Sequence, residues 1–256
     1  MSKIHYQIHQ NEQDKPWILL IHGLFGSLDN LAALRRGLVD DYNVLSIDLP
    51  DHGSSLRTQE FSFAHYALLI SQLINTLNIV SLNIVGHSLG GKIAMQLALS
   101  QPDLIDRLVI LDIAPVTYQA RHQTVFDGLD NVPLESITSR KSADEYLQKF
   151  VKELGTRQFL LKSLYQDDSG WHWQFNLALL KRDYAKLSAG LNSQAQFTKP
   201  TLFIKGQLSD YLGTEHKEQI TQLFPYSQLK VLANTGHWLH AEKPALCIKM
   251  IKSFLS

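Results

Sequence analysis

Short apolar runs recur along this chain, and helical patterns separate most of them. The runs are Trp17 to Ile21, Val44 to Ile47, Leu82 to Val85, Leu108 to Leu111, Thr201 to Ile204 and Leu229 to Leu232. Helical patterns cover roughly Leu28 to Val39, Ser62 to Leu77, Leu89 to Ser100 and Glu215 to Phe224, and a last one, about Ala245 to Phe254, closes the chain. Ser62 is placed to cap the second helix and Pro102 to end the third. Strands buried on both faces read as continuous apolar runs. The alternation therefore predicts an α/β fold, a mostly parallel sheet with helices on both faces. Ile4, Tyr6 and Ile8 alternate with polar residues, which predicts a half-exposed first strand.

The rhythm breaks once. Between Asp112 and Thr201, about 85 residues hold no clear parallel-strand run, only helix-like patterns over Thr117 to Leu129, Ser142 to Leu154, Thr156 to Tyr165 and Phe175 to Leu187. The expectation is a core of residues 1–114 and 193–256, with residues 115–192 as a helical lid inserted after the sixth core strand. Such a lid stands above the carboxyl ends of the strands, where sheets of this kind bind ligands. The alternative is that these helices belong to the core layer.

Bulk properties remove several classes. The 24 basic and 24 acidic residues cancel, which leaves no electrostatic footprint for nucleic acid. No stretch approaches the ~20 apolar residues of a membrane span, and Met1 to Tyr6 lacks the apolar core of a signal peptide. The lone cysteine, Cys247, excludes an intramolecular disulfide and lies in an apolar helical pattern as a buried thiol. A cytoplasmic chain is the default expectation; oligomeric state stays open.

Chemistry concentrates at three places. Gly86-His87-Ser88-Leu89-Gly90 follows one apolar run and opens a helical one. A serine flanked by glycines at a strand-to-helix turn is a nucleophile elbow: the turn is sharp, small neighbours are required, and the hydroxyl is lifted above the sheet. His22-Gly23-Leu24-Phe25-Gly26 follows another run, in the position of a loop that lends an oxyanion-hole amide. His237 follows the last run, in Asn234-Thr235-Gly236-His237-Trp238. Serine first and histidine last, with acids between, suits a serine hydrolase.

A serine hydroxyl needs a base, and the base needs a carboxylate on its other nitrogen. Ser88 and His237 supply the first two. Asp112, at the end of Leu108 to Leu111, is the expected acid, with Ser209 as a supporting partner; Asp210 is the alternative. The N–H groups of Leu89 and Leu24 are the expected oxyanion donors, with Phe25 as alternative to Leu24. Phe25, His87 and Trp238 are expected as pocket walls, and His22 as a loop-shaping residue. For Trp171 and Trp173, in the lid, both the pocket and the core stay open. His240 stands three residues after His237, off the i,i+4 spacing of helical zinc sites, so no metal and no cofactor is expected.

The motifs His22 to Ser27, Gly86 to Lys92, Leu111-Asp112-Ile113-Ala114-Pro115 and Phe203-Ile204-Lys205-Gly206 resemble the YbfF-type esterases, bacterial enzymes of the α/β-hydrolase superfamily. The resemblance runs over nearly the whole chain and is weakest in the lid. It implies the α/β-hydrolase fold, an acid on the strand before the lid with a serine in the later loop, and small esters or acyl thioesters as substrates. Asp48 to Ser55 resembles the superfamily's D-x-x-G-H-G-x-S loop, with Asp51 where glycine is usual. Leu208-Ser209-Asp210 departs from the group by an extra acid.

Rival readings share parts of this pattern. C–C bond hydrolases and acyltransferases use the same machinery, and a hydrolase-fold binding protein keeps the fold without turnover. Gly86 to Lys92 also matches G-x-x-x-x-G-K, the start of a phosphate-binding loop, but Ile93 stands where that loop needs Ser or Thr.

Overall fold

The structure, a computed structural model, describes residues 3–10 and 14–256. Met1 and Ser2, read above as part of the amino terminus, lie outside them. Among the described residues nine strands, most of them separated by helices, follow one another, beginning with β1 (Tyr6–His9), β2 (Trp17–Ile21), α1 (Ala32–Leu38), β3 (Asn43–Ile47), α2 (Phe63–Thr76), β4 (Leu82–His87), α3 (Leu89–Ser100) and β5 (Ile105–Leu111). The insert follows, with α4 (Gln123–Asp130), α5 (Arg140–Leu147), α6 (Leu154–Leu161), β6 (Leu164–Asp167), β7 (Gly170–Trp173), α7 (Leu177–Arg182) and α8 (Tyr184–Ser188). The chain then returns as β8 (Thr201–Gly206), α9 (Lys217–Leu223), β9 (Ser227–Leu232), α10 (Leu239–Glu242) and α11 (Pro244–Leu255).

Seven strands form one sheet in the order β1-β3-β2-β4-β5-β8-β9. Only β1 runs antiparallel to its neighbour. Burial from both sides explains the apolar runs of β2 to β5 and β8; β9, at the sheet edge, leaves Leu229 and Val231 exposed. Ile18 and Leu20 of β2 face a cluster with Leu34, Leu38, Cys247 and Ile251 of α1 and α11. Leu19 and Ile21 face the opposite cluster, with Ile70 and Ile74 of α2 and Ile93 of α3. Ser62 caps α2 as expected, its hydroxyl accepting the His65 N–H at 3.1 Å. Cys247 is fully buried, and burial pushes its thiol up to about 12.

The insert departs from expectation in three ways. It follows β5, the fifth strand of the sheet in chain order rather than the sixth, because a single antiparallel strand precedes β2. It is not wholly helical: the stretch read as a helix to Tyr165 stops at Leu161, and β6 and β7 pair as a hairpin. The cause is local, since Asp167 Oδ1 takes the Ser169 N–H at 2.8 Å and Gly170 turns with φ 107°. Finally, α4 begins at Gln123, not Thr117; residues 117–122 run along the cavity instead, and Tyr118 spends its hydroxyl on the Tyr211 carbonyl.

Both roots of the insert converge on one buried lysine. Lys92 Nζ, on α3, donates to the carbonyls of Val116 at 2.9 Å, Ser188 at 3.1 Å and Ala189 at 2.6 Å. Burial draws its ammonium down to about 7. The middle of the insert is tied down at Asp51, whose carboxylate accepts from Asn176 Nδ2 at 2.8 Å, Tyr66 at 2.6 Å and Thr58 Oγ1 at 2.6 Å. No helix among the described residues is long and apolar enough to cross a membrane.

Candidate active site

Strand register assembles the site. In the β4–β5 pair His87 lies opposite Leu111, so Ser88 and Asp112 both leave the sheet at the same edge, one residue past the last pair. The Ser88 N–H still donates to the Leu111 carbonyl at 3.1 Å. One strand further, Leu111 pairs with Ile204, and Gly206 of β8 pairs with Leu232 of β9. The loop after β9 therefore delivers His237 to that edge.

Ser88 sits at φ 52° and ψ −120°, a strained conformation for a residue with a side chain. The flanking glycines make it possible: a Cβ on Gly90 would lie 2.3 Å from the His22 carbonyl oxygen. A Cβ on Gly206 would lie 2.1 Å from the Gly236 oxygen, so only glycine lets the His237 loop come so near.

His237 Nε2 stands 3.0 Å from Ser88 Oγ, and its Nδ1 stands 2.7 Å from Asp112 Oδ2. The carboxylate accepts from Nδ1–H, which leaves Nε2 as the acceptor facing the serine. Asp112 has no solvent exposure and φ 53°. Its Oδ1 accepts the Gly206 N–H at 2.9 Å, and its Oδ2 also accepts the Ser209 hydroxyl. The alternative acid is elsewhere: the Asp210 side chain is 78% exposed and pairs with Arg121 at 2.8 Å.

The N–H groups of Leu24, Phe25 and Leu89 have no protein acceptor among the described residues. Leu89 opens α3, where helix amides are free and point outward. Gly23 packs against Ser88, since a Cβ on Gly23 would lie 3.1 Å from Ser88 Cβ, which sets the Leu24–Phe25 stretch beside the elbow. His22 shapes that loop: Nδ1–H donates to the Gly23 carbonyl at 2.8 Å, and Nε2 accepts the Leu49 N–H at 3.0 Å. Burial lowers its basicity. From the insert, Ser163 Oγ donates to the Phe25 carbonyl at 2.8 Å.

A cavity of about 800 Å³ opens over Ser88, lined by the insert on one side and by Phe25, His87 and Trp238 on the other. Phe25 packs on Phe126 and Phe175, with ring centroids 5.4 and 5.0 Å apart. Trp238 meets Phe159 at 5.7 Å. His87 does more than line the wall, because its Nε2–H donates to the His237 carbonyl at 2.9 Å. His240 packs on the His87 ring at 4.3 Å, and burial takes it down to about 3. No cluster of three metal-binding side chains occurs among the described residues. Trp173 belongs to the core, buried and stacked on Phe175; Trp171 is half-buried against the core cluster.

Sequence reasoning missed Tyr211, whose ring stacks on the His237 imidazole with centroids 4.0 Å apart. It also missed His122 and Tyr184 in the cavity wall. Only the proximity of Tyr211 to Ser209 hinted at such a place.

Residues 16–244 match the model of the alpha/beta hydrolase fold family. Esterase YbfF of Escherichia coli strain K12 is 35% identical over 254 residues, covering 99% of this chain and 98% of that protein. The sn-1-specific diacylglycerol lipase ABHD11 of Mus musculus is 35% identical, over 98% of this chain and 84% of its own length. Among solved structures, a marine microorganism esterase superposes with a TM-score of 0.95 at 28% identity, covering 99% of this chain and all of that one. The chain belongs to the alpha/beta hydrolase fold family, as one of its YbfF-type esterases.

Proposed function

We propose that the chain hydrolyses small carboxylic esters or acyl thioesters through an acyl-enzyme on Ser88. The supporting observation is the unbroken line of contacts from Ser88 Oγ through His237 to Asp112. In this reading His237 Nε2 takes the Ser88 proton as Oγ attacks the carbonyl carbon. The tetrahedral oxygen accepts hydrogen bonds from the N–H groups of Leu89 and Leu24. Collapse breaks the bond to the alcohol or thiol, which leaves with the proton from His237. Water then repeats the sequence and frees the acid. Asp112 orients the imidazole and stabilises its transient charge, and Ser209 and the Gly206 N–H hold Asp112.

Residues 115–192 act as the lid over this centre, and residues 1–114 and 193–256 as the core. The balanced charge favours a small-molecule substrate over nucleic acid, and the single cysteine suits the cytoplasm. The test is labelling by a fluorophosphonate together with turnover of p-nitrophenyl butyrate in EDTA. Both are expected in the wild type and absent in Ser88→Ala. Turnover that survives in Ser88→Ala would end this reading.

A further inference from the structure

In an acyl transfer the leaving group departs beside the imidazole that protonates it. The groups around His237 therefore decide what that leaving group is made of. Tyr211 flanks the imidazole face to face, its plane tilted by only 24°. Beyond the ring, its hydroxyl has a single hydrogen-bonding partner among the described residues, His122 Nε2 at 3.4 Å. That is longer than an ordinary hydrogen bond, so both atoms keep most of their bonding capacity. His122 is held in place from its other side, where Nδ1 meets the Tyr184 hydroxyl at 2.6 Å. Burial takes His122 down to about 4 and pushes Tyr211 up to about 12. At neutral pH the pair is an uncharged imidazole and an intact phenol. Tyr211, His122 and Tyr184 all line the cavity over Ser88, beside the apolar Val125 and Leu187.

We propose that Tyr211 Oη and His122 Nε2 form a leaving-group subsite for an alcohol or thiol that carries a hydrogen-bonding group, a hydroxyl or an amide, a few bonds beyond the scissile atom. The subsite rests on Ser88 and His237 acting as nucleophile and base. A bound hydroxyl or amide exchanges the long Tyr211–His122 contact for two ordinary hydrogen bonds. A leaving group without such a function leaves the two atoms with only their long mutual contact, and sites built to bond a substrate polar group reject the analogue that lacks it.

Matched substrates test this. One pair is 2-hydroxyethyl butyrate against propyl butyrate; the other is S-(2-acetamidoethyl) thiobutyrate against S-pentyl thiobutyrate. Each kcat/KM is divided by the rate of alkaline hydrolysis of the same compound. The wild type is expected to favour the polar member by about tenfold, the worth of one net hydrogen bond. A preference in the first pair alone identifies a hydroxylated alcohol, and in the second alone an amide-bearing thiol. Tyr211→Phe keeps the stacked ring and is expected to bring the ratio near one. His122→Gln is read the same way should Tyr211→Phe fail to fold. Ratios near one in both wild-type pairs, or a preference that survives in these variants, overturn the subsite. Failure of the nucleophile assignment would appear separately, as propyl butyrate turnover in Ser88→Ala.

Discussion

His237 Nδ1 lies 2.7 Å from Asp112 Oδ2 across 125 residues of chain. Parallel pairing through β5, β8 and β9 carries both to one edge of the sheet. Asp112 then has four partners in hand: His237, Ser209, the Gly206 N–H and, through its own N–H, the Ile204 carbonyl. A carboxylate so held keeps the imidazole in one tautomer.

Asp112→Asn is expected to lower kcat for p-nitrophenyl butyrate by about 10⁴, as loss of the orienting carboxylate does in serine proteases. Asp210→Asn is expected to retain most activity, because that side chain is 78% exposed and faces Arg121. Steady-state rates on both variants, with circular dichroism to check folding, decide between them; the reverse ranking would move the acid to Asp210.

Ser163→Ala removes the tie between the insert and the loop beside the elbow, where Phe25 sits at φ 62°. The expected result is a kcat lowered about tenfold, with KM little changed, because the loop amides lose their aim at the developing oxyanion. An unchanged kcat would show that the loop holds its shape without the insert.

Asp51→Ala leaves the Tyr66 hydroxyl, the Thr58 N–H and the Asn176 amide without their acceptor. The expected loss is roughly 3 kcal/mol in urea unfolding, since buried polar groups stripped of partners cost 1–3 kcal/mol each and relax in part. A loss below about 1 kcal/mol would mean that water replaces the carboxylate.

Lys92 predicts a pH dependence of stability. Its folded value of about 7 lies below the 10.5 of a free lysine. Between these limits the unfolded chain binds the extra proton, so stability rises with pH through that window. Below pH 7 both states are protonated and the burial penalty is constant. Other groups titrate above pH 9, Cys247 among them, and they act in the opposite direction. The comparison is therefore wild type against Lys92→Met from pH 7 to 9. The wild type is expected to gain roughly 1–2 kcal/mol more than the variant over that interval. Parallel curves would exclude the effect.

The parts of the fold that were legible are those a few neighbouring residues determine. Ser62 announces α2, the glycines around Ser88 announce the elbow, and short apolar runs announce the strands of the large sheet. The hairpin of β6 and β7 was not legible, because Leu164 to Trp173 mixes polar and aromatic residues without a clean period of two. Lys92 ends the G-x-x-x-x-G-K match whose next residue, Ile93, breaks a phosphate-binding loop. Its ammonium is in fact committed to three carbonyls, contacts that lie 24 to 97 positions away.

Local sequence by itself determined the strands of the large sheet, the strained turn at Ser88 and the residue types able to do acyl chemistry, since these depend on immediate neighbours. Only the tertiary structure set Asp112 inward against His237 and Asp210 outward to Arg121. It also placed Tyr211 on the imidazole and tied the insert to Lys92, Asp51 and Phe25. Those outcomes depend on which side chains meet across the sheet edge, and strand register and long-range packing set that, not spacing along the chain.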